Sequence, residues 1–137
     1  GFGVAAGIAA NDIAGRAAAL RTARDAIEAR MRLAAPELTV HGAAVGRLPN
    51  TAFFSLPGLK SETGQIAFDL EGIALSAGSA CSSGKVGESH VLKAMGLDPR
   101  MGALRISIGT TTTEEDIERT VAAFAKIAGR LTASRAA

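Results

Sequence analysis

The run LRISIGTTTTEEDIERTVAAFAKIAGRL, Leu104 to Leu131, changes its hydrophobic period midway, and that change decides the fold class. Leu104, Ile106 and Ile108 point one way and Arg105 and Ser107 the other, the period-two pattern of a strand with one buried face. From Ile117 the spacing becomes three to four: Ile117, Val121, Phe124, Ala128 and Leu131 form one stripe of a helix. Between the two, Thr112 with Glu115 and Thr113 with Asp116 spell overlapping capping boxes, in which hydroxyl and carboxylate satisfy the first helical N–H groups. The tail TASRAA continues no stripe and is expected to fray.

Working outward, the same logic places the other elements. SHVLKAMG predicts a short helix with Ser89 as cap, Val91, Leu92 and Met95 on its buried side, and Gly96 as its stop. IALS, Ile73 to Ser76, reads as a strand and leads directly into the loop around Cys81. Upstream, Ser61 caps a helix running to about Leu70, with Ile66 and Leu70 one turn apart, and Gly72 ends it. TAFFSL, Thr51 to Leu56, and Leu38–His41 are further strands, with Pro57-Gly58 as a turn. From Val4 to Ala35 the composition is helical, with Ile13, Ala17, Leu20, Ile27 and Met31 on one face. Asn11-Asp12 allows a break, and Pro36 ends the helix. The order helix, strand, strand, helix, strand, loop, helix, strand, helix predicts an α+β domain: a small sheet with helices on one face.

The 137 residues fit one domain, and 47% hydrophobic against 20% charged is a composition that builds a core. All five aromatic residues are Phe and alanine is abundant, so the core is expected to be thin and some apolar surface to await another domain. The net charge is only +2. The arginines at 16, 21, 24, 30 and 32, diluted by Asp25 and Glu28, read as a solvated helix face. No aromatic interleaving favours base stacking, so neither nucleic acid nor membrane is an expected partner. One cysteine excludes an internal disulfide framework and suits a reducing, cytoplasmic setting. That cysteine with His41 and His90 is too few ligands for a self-contained zinc site. No apolar run reaches the length of a membrane span. The chain lacks an initiator Met and reads as helix from its first residues, as a piece cut from something longer is expected to.

Two features can carry chemistry. SAGSACSSGK, Ser76 to Lys85, surrounds Cys81 with residues too small to fix a loop by packing. A thiol there is expected to be exposed, and its thiolate is the reactive form. The residues alone leave open a nucleophile, a redox sensor, a sulfur carrier or an incidental surface cysteine. The same run imitates a phosphate-binding G-x-x-x-x-G-K-[ST] loop but fails it: Ser83 stands where the second Gly belongs, and Val86 follows Lys85. GFGVAA at the start has no strand before it, so it carries little as a dinucleotide fingerprint. Arg105 is the second feature. Its planar fork matches a carboxylate, although on the residues alone a solvent-facing sheet is the better account of it. His90 follows a cap residue and reads as structural.

The run GIALSAGSACSSGKVGESHVLKAMG, followed by LRISIGTTTTEEDIE, resembles the cysteine desulfurases of the NifS/IscS type, pyridoxal-phosphate enzymes of the class V aminotransferase family. RLPNTAFFSLPG resembles the family's earlier strand and GFGVAAG the helix after its active-site segments. The likeness runs from Gly1 to about Leu131 and covers only the C-terminal part of such an enzyme.

The resemblance implies that residues 1–137 are the C-terminal small domain of a fold-type I transferase. Residues 1–35 would be a helix leading from a large cofactor-binding domain, and residues 76–88 a mobile catalytic loop. It implies that Cys81 takes sulfur from L-cysteine as a persulfide, leaving L-alanine, and that Arg105 holds the substrate α-carboxylate. Pyridoxal phosphate would act as electron sink. A sulfur-acceptor or iron–sulfur scaffold protein would receive the sulfur, Cys81 would thereby ligate a nascent cluster transiently, and the full enzyme would be a homodimer. A small-residue loop suits a thiol that must visit both the cofactor site and a partner.

The family's cofactor lysine, which follows a His, has no counterpart: Lys60, Lys85, Lys93 and Lys126 stand in other contexts. The piece alone is therefore expected to be inactive. Phe53 also departs from the pattern, since many relatives place Asn there. Two rivals are a related pyridoxal-phosphate lyase that does not need Cys81, and a standalone persulfide or redox carrier.

Overall fold

The computed structural model describes residues 1–77 and 89–136. Along the chain these form α1 (Phe2–Ala10), α2 (Ile13–Ala34), β1 (Thr39–Val40), β2 (Thr51–Ser55), α3 (Ser61–Leu70), β3 (Ser76–Ala77), α4 (His90–Ala94), β4 (Leu104–Ser107) and α5 (Glu114–Ala136). The described strands make a four-stranded sheet in the order β1-β2-β4-β3, antiparallel at every pairing. Register follows from the alternation read in sequence. Ala52 pairs with Ile106 and Phe54 with Leu104, which collects four buried side chains on one face.

Helices α2, α3 and α5 cover that face. Ile27 and Met31 of α2, Phe68 of α3, and Phe124 and Ile127 of α5 join the inner sheet residues in one continuous cluster. Phe54 and Phe124 meet edge to face at 6.0 Å and 84°, a geometry worth about 1 kcal/mol beyond area burial. The α+β class with helices on one sheet face is what the structure has.

The helical stretch 1–35 forms two helices, broken at Asn11-Asp12 where the sequence allows it. Asp12 adopts a left-handed conformation, φ 57°, which short polar side chains tolerate, and its carboxylate accepts the Gly15 N–H at 3.2 Å to start α2. The Arg16 guanidinium reaches back to the carbonyls of Ile8, Ala9 and Asn11, closing the end of α1. Nothing in α1 is buried, and Ile13 lies outside the apolar stripe at 62% exposure.

The cationic face of α2 is not wholly solvated either. Arg24 and Glu28 are buried. Arg47 grips the Glu28 carboxylate with both guanidinium nitrogens, at 2.6 and 2.9 Å, while Arg24 donates to the Leu48 carbonyl at 2.7 Å and pairs with Asp25. This cluster ties the segment between β1 and β2 to the helix.

Smaller details complete or correct the sequence reading. Ile66 and Leu70 are exposed, and Gly64 and Phe68 supply the buried face of α3. Met95 is exposed beside the buried Leu92. The final helix continues through the tail to Ala136. Of the two capping boxes only the second forms: Thr113 Oγ1 accepts the Asp116 N–H at 3.2 Å, and Asp116 returns the bond to the Thr113 N–H at 2.9 Å. Thr112 instead accepts from Gly109.

Candidate active site

The inner face of the sheet is core, so any chemistry it carries must sit on its outer face. Alternation along β4 puts Arg105 there, exposed, between the buried Leu104 and Ile106. The register sets Phe53 of β2 directly across from Arg105 on one side and Ser76 of β3 on the other. His41 follows β1 and extends its ladder, donating its N–H to the Phe53 carbonyl at 2.7 Å. His41, Phe53, Arg105 and Ser76 therefore form one row across the sheet.

The row is knit by side chains at both ends. Arg105 Nη2 donates to Ser76 Oγ at 3.4 Å, a long bond that, among the described residues, leaves most of the guanidinium fork free for another acceptor. The His41 ring lies 5.1 Å from that of Phe53, tilted by 50°. Its Nε2 shares a 2.7 Å hydrogen bond with the Ser55 hydroxyl. His41 and Ser55 are both buried, and burial holds the imidazole pKa below its ordinary value. An imidazole kept neutral between a hydroxyl and a phenyl ring is a structural brace.

Strand β4 is itself held from the core side. The Ser61 hydroxyl accepts the Ala103 N–H at 3.0 Å and donates to the Ala103 carbonyl at 3.2 Å. Ser61 is thus the first residue of α3, after Lys60, and spends its hydroxyl on the strand rather than on the helix end.

Cys81, Lys85 and the rest of the segment 78–88 lie outside the described residues. What brackets them is described. β3 ends at Ala77, paired with Leu104. The chain resumes at Ser89, which is buried, donates its N–H to the Pro99 carbonyl at 2.8 Å and caps α4 through Leu92 N–H. His90, the first residue of α4, is exposed.

Sequence reasoning found Arg105 but missed its neighbours. The alternation of TAFFS already set Phe53 opposite Ala52 and Phe54. Its proximity to Arg105 depends on a register between strands about fifty residues apart, for which the sequence carries no local signal.

The described residues do not compose a pyridoxal-phosphate site. Lys126 is tied to Glu71 at 2.8 Å, and Lys60 and Lys93 are exposed at the two ends of separate short helices. Among the described residues no group of three or more His, Cys, Asp or Glu stands together to hold a metal ion, and no helix is long and apolar enough to cross a membrane.

Comparison with known proteins identifies the fold. The structure matches that of a NifS-like protein from Rickettsia africae with a TM-score of 0.78 and 29% identity, over 92% of this chain and 32% of that one. In sequence the chain is 38% identical to a cysteine desulfurase of Sinorhizobium fredii, over 98% of this chain and 35% of the relative. It is 41% identical to the cysteine desulfurase IscS of Clostridium botulinum over 74% of this chain and 25% of the relative, and 35% identical to the cysteine desulfurase NifS of Azotobacter vinelandii over 96% and 33%. The chain thus spans about a third of the length of the curated relatives it matches. The family model for class-V aminotransferases matches residues 2–120, and with strand order, helix placement and relatives in agreement, the chain belongs to that family.

Proposed function

We propose that this chain is the sulfur-accepting and carboxylate-binding part of a cysteine desulfurase. In the net reaction the Cys81 thiolate attacks the sulfur of L-cysteine: the S–S bond forms as the C–S bond breaks, the electron pair of that bond stays on carbon, and the carbon takes a proton. L-cysteine and thiol thus become L-alanine and persulfide with no external oxidant or reductant. Pyridoxal phosphate belongs to this reading as the electron sink, held by residues outside those described here.

The observation that supports the reading is the adjacency of Arg105 to the foot of the Cys81 segment. Arg105 lies exposed on the outer sheet face with Ser76 as its side-chain partner among the described residues, and the strand beside it, β3, runs straight into that segment. Cys81 follows Ser76 by five residues, and covalent geometry lets five residues span at most about 18 Å. A carboxylate on Arg105 is therefore within the thiol's reach. A guanidinium serves this task because it binds the α-carboxylate in two parallel hydrogen bonds and so fixes the substrate's orientation.

The persulfide's recipient would be a sulfur-acceptor protein, such as an iron–sulfur scaffold. A cytoplasmic homodimer and transient cluster ligation by Cys81 belong to the same proposal. The lyase and carrier alternatives have no observation in their favour.

The decisive experiment is L-alanine release from L-cysteine by the protein at its natural length, with reductant, beside Cys81→Ala. Alanine from the parent and none from the variant is the expected result. Equal release by both would overturn the sulfur-acceptor role of Cys81, and none from either would overturn the desulfurase reading. Residues 1–137 alone are expected to release no alanine.

A further inference from the structure

Phe53 lies in the outer row but contributes to neither the core nor the reaction proposed above. A phenyl ring at that position, half-buried on a face whose other members are polar, needs a reason. Directly opposed residues of an antiparallel pair hold their Cβ atoms about 5 Å apart, and Phe53 is directly opposite Arg105. On its other side the ring is backed by His41 at 5.1 Å, and His41 is pinned by the Ser55 hydroxyl. The chain Ser55–His41–Phe53 thus ends at the residue directly opposite Arg105 in the β2–β4 register.

An arginine on an open sheet face is a poor anchor by itself. Its long side chain samples many rotamers, all but a few of which are lost on binding, and water competes for its fork. A fixed apolar wall along the methylene stem restricts those rotamers before substrate arrives and excludes water from one side of the ion pair. Ser76, on the opposite flank, contributes a hydrogen bond to Nη2.

We infer that Phe53 is a positioning residue for Arg105, a wall braced by His41 that pre-orients the guanidinium for the substrate carboxylate. The inference rests on the reading of Arg105 as carboxylate anchor. A wall acting through Arg105 affects carboxylate binding and not the sulfur transfer that follows. A ring that merely fills the sheet face affects neither selectively.

The test uses the natural-length, cofactor-loaded protein and measures kcat and KM for L-cysteine together with the dissociation constant of L-alanine by calorimetry. Phe53→Ala is expected to raise KM and the L-alanine constant together by about fivefold, with kcat within about twofold of the parent. Phe53→Leu, which keeps an apolar wall, is expected to restore both. Phe53→Asn serves in place of the alanine variant if that one does not fold. Unchanged KM and L-alanine affinity, or a fall in kcat alone, would overturn the inference. Arg105→Lys, measured in parallel, separates the two levels. If it leaves KM unchanged the anchor reading itself fails, whereas a raised KM there with none in Phe53→Ala removes only the wall.

Discussion

Arg105 stands opposite Ser76 across the β3–β4 ladder, its Nη2 3.4 Å from the serine hydroxyl oxygen. This places the proposed carboxylate anchor and the base of the cysteine-bearing segment in adjacent strands of one sheet, so neither can move far without the other. Arg105→Lys keeps the charge but loses the fork. KM for L-cysteine is expected to rise about tenfold, the factor for one charge-assisted hydrogen bond, with a smaller change in kcat. Steady-state kinetics of the natural-length protein checks this, and an unchanged KM would refute it.

Gly102 precedes β4 where there is no room for a side chain. A Cβ there would overlap the Leu59 carbonyl oxygen and come within 2.8 Å of the Lys60 Cα. Both are backbone atoms and cannot turn aside. Gly102→Ala is expected to cost about 1–3 kcal/mol and to displace the strand that carries Arg105. Faster amide exchange in Leu104–Ser107, together with raised KM, is the expected signature; unaltered exchange would show that the α3 approach yields freely.

The parts legible in sequence were those governed by local spacing: the alternation of β4, the Thr113–Asp116 box, the Ser89 cap. The misread parts were settled by partners far along the chain. In α3, Gly64 and Phe68 have the same i,i+4 spacing as Ile66 and Leu70, so period alone cannot choose between the two stripes. Packing chose Phe68 for its volume and Gly64 for its missing Cβ, which would lie 2.7 Å from a Leu104 methyl. Arg24 looked solvated because the backbone carbonyl it serves is 24 residues away. At the site, Arg105 could be read from its pattern, but its flank of Phe53 and His41 exists only through strand register.

Glu28 is the hinge of the buried charge cluster, 4% exposed at its side chain and gripped by Arg47. Removing it strands the Arg47 guanidinium, whereas Arg24 keeps Asp25 and the Leu48 carbonyl. Glu28→Ala is expected to destabilise the domain by about 3 kcal/mol. Arg47→Met should cost less, because Glu28 keeps Arg24 at 3.9 Å and the methionine stem still packs. Denaturant midpoints followed by a probe in this domain would show the order, and equal losses would contradict it.

Thr113 and Asp116 satisfy one another's N–H groups at the start of α5. Thr113→Ala is expected to cost about 1 kcal/mol, seen as faster hydrogen exchange of the Asp116 amide and its neighbours. The Thr113 N–H, and secondarily its hydroxyl, hold the Asp116 carboxyl pKa below its ordinary value of 3.8. A depressed carboxylate pKa contributes stability above the unfolded value and loses it as pH falls through the folded one. The cap should therefore persist at neutral pH and weaken only in acid below 3.8. First-turn exchange unaffected by Thr113→Ala would show that the helix start is held by packing instead.

The His41 brace gives the domain a second, milder pH dependence with its own window. Burial lowers the His41 pKa from 6.5, so the folded state resists a proton that the unfolded chain accepts. Above pH 6.5 both states are neutral at this site and stability does not depend on it. As pH falls below 6.5 the unfolded state binds more protons, and stability falls until the folded imidazole is also protonated. Protonation of a ring buried against Phe53 and Ser55 should also loosen the wall beside Arg105. His41→Gln removes the titration. The parent's denaturant midpoint, followed in this domain, is therefore expected to decline between pH 7.5 and 5.5 more steeply than the variant's. Parallel declines would show that His41 takes up its proton in the folded state as readily as in the unfolded one, and that Ser55 and Phe53 do not hold it neutral.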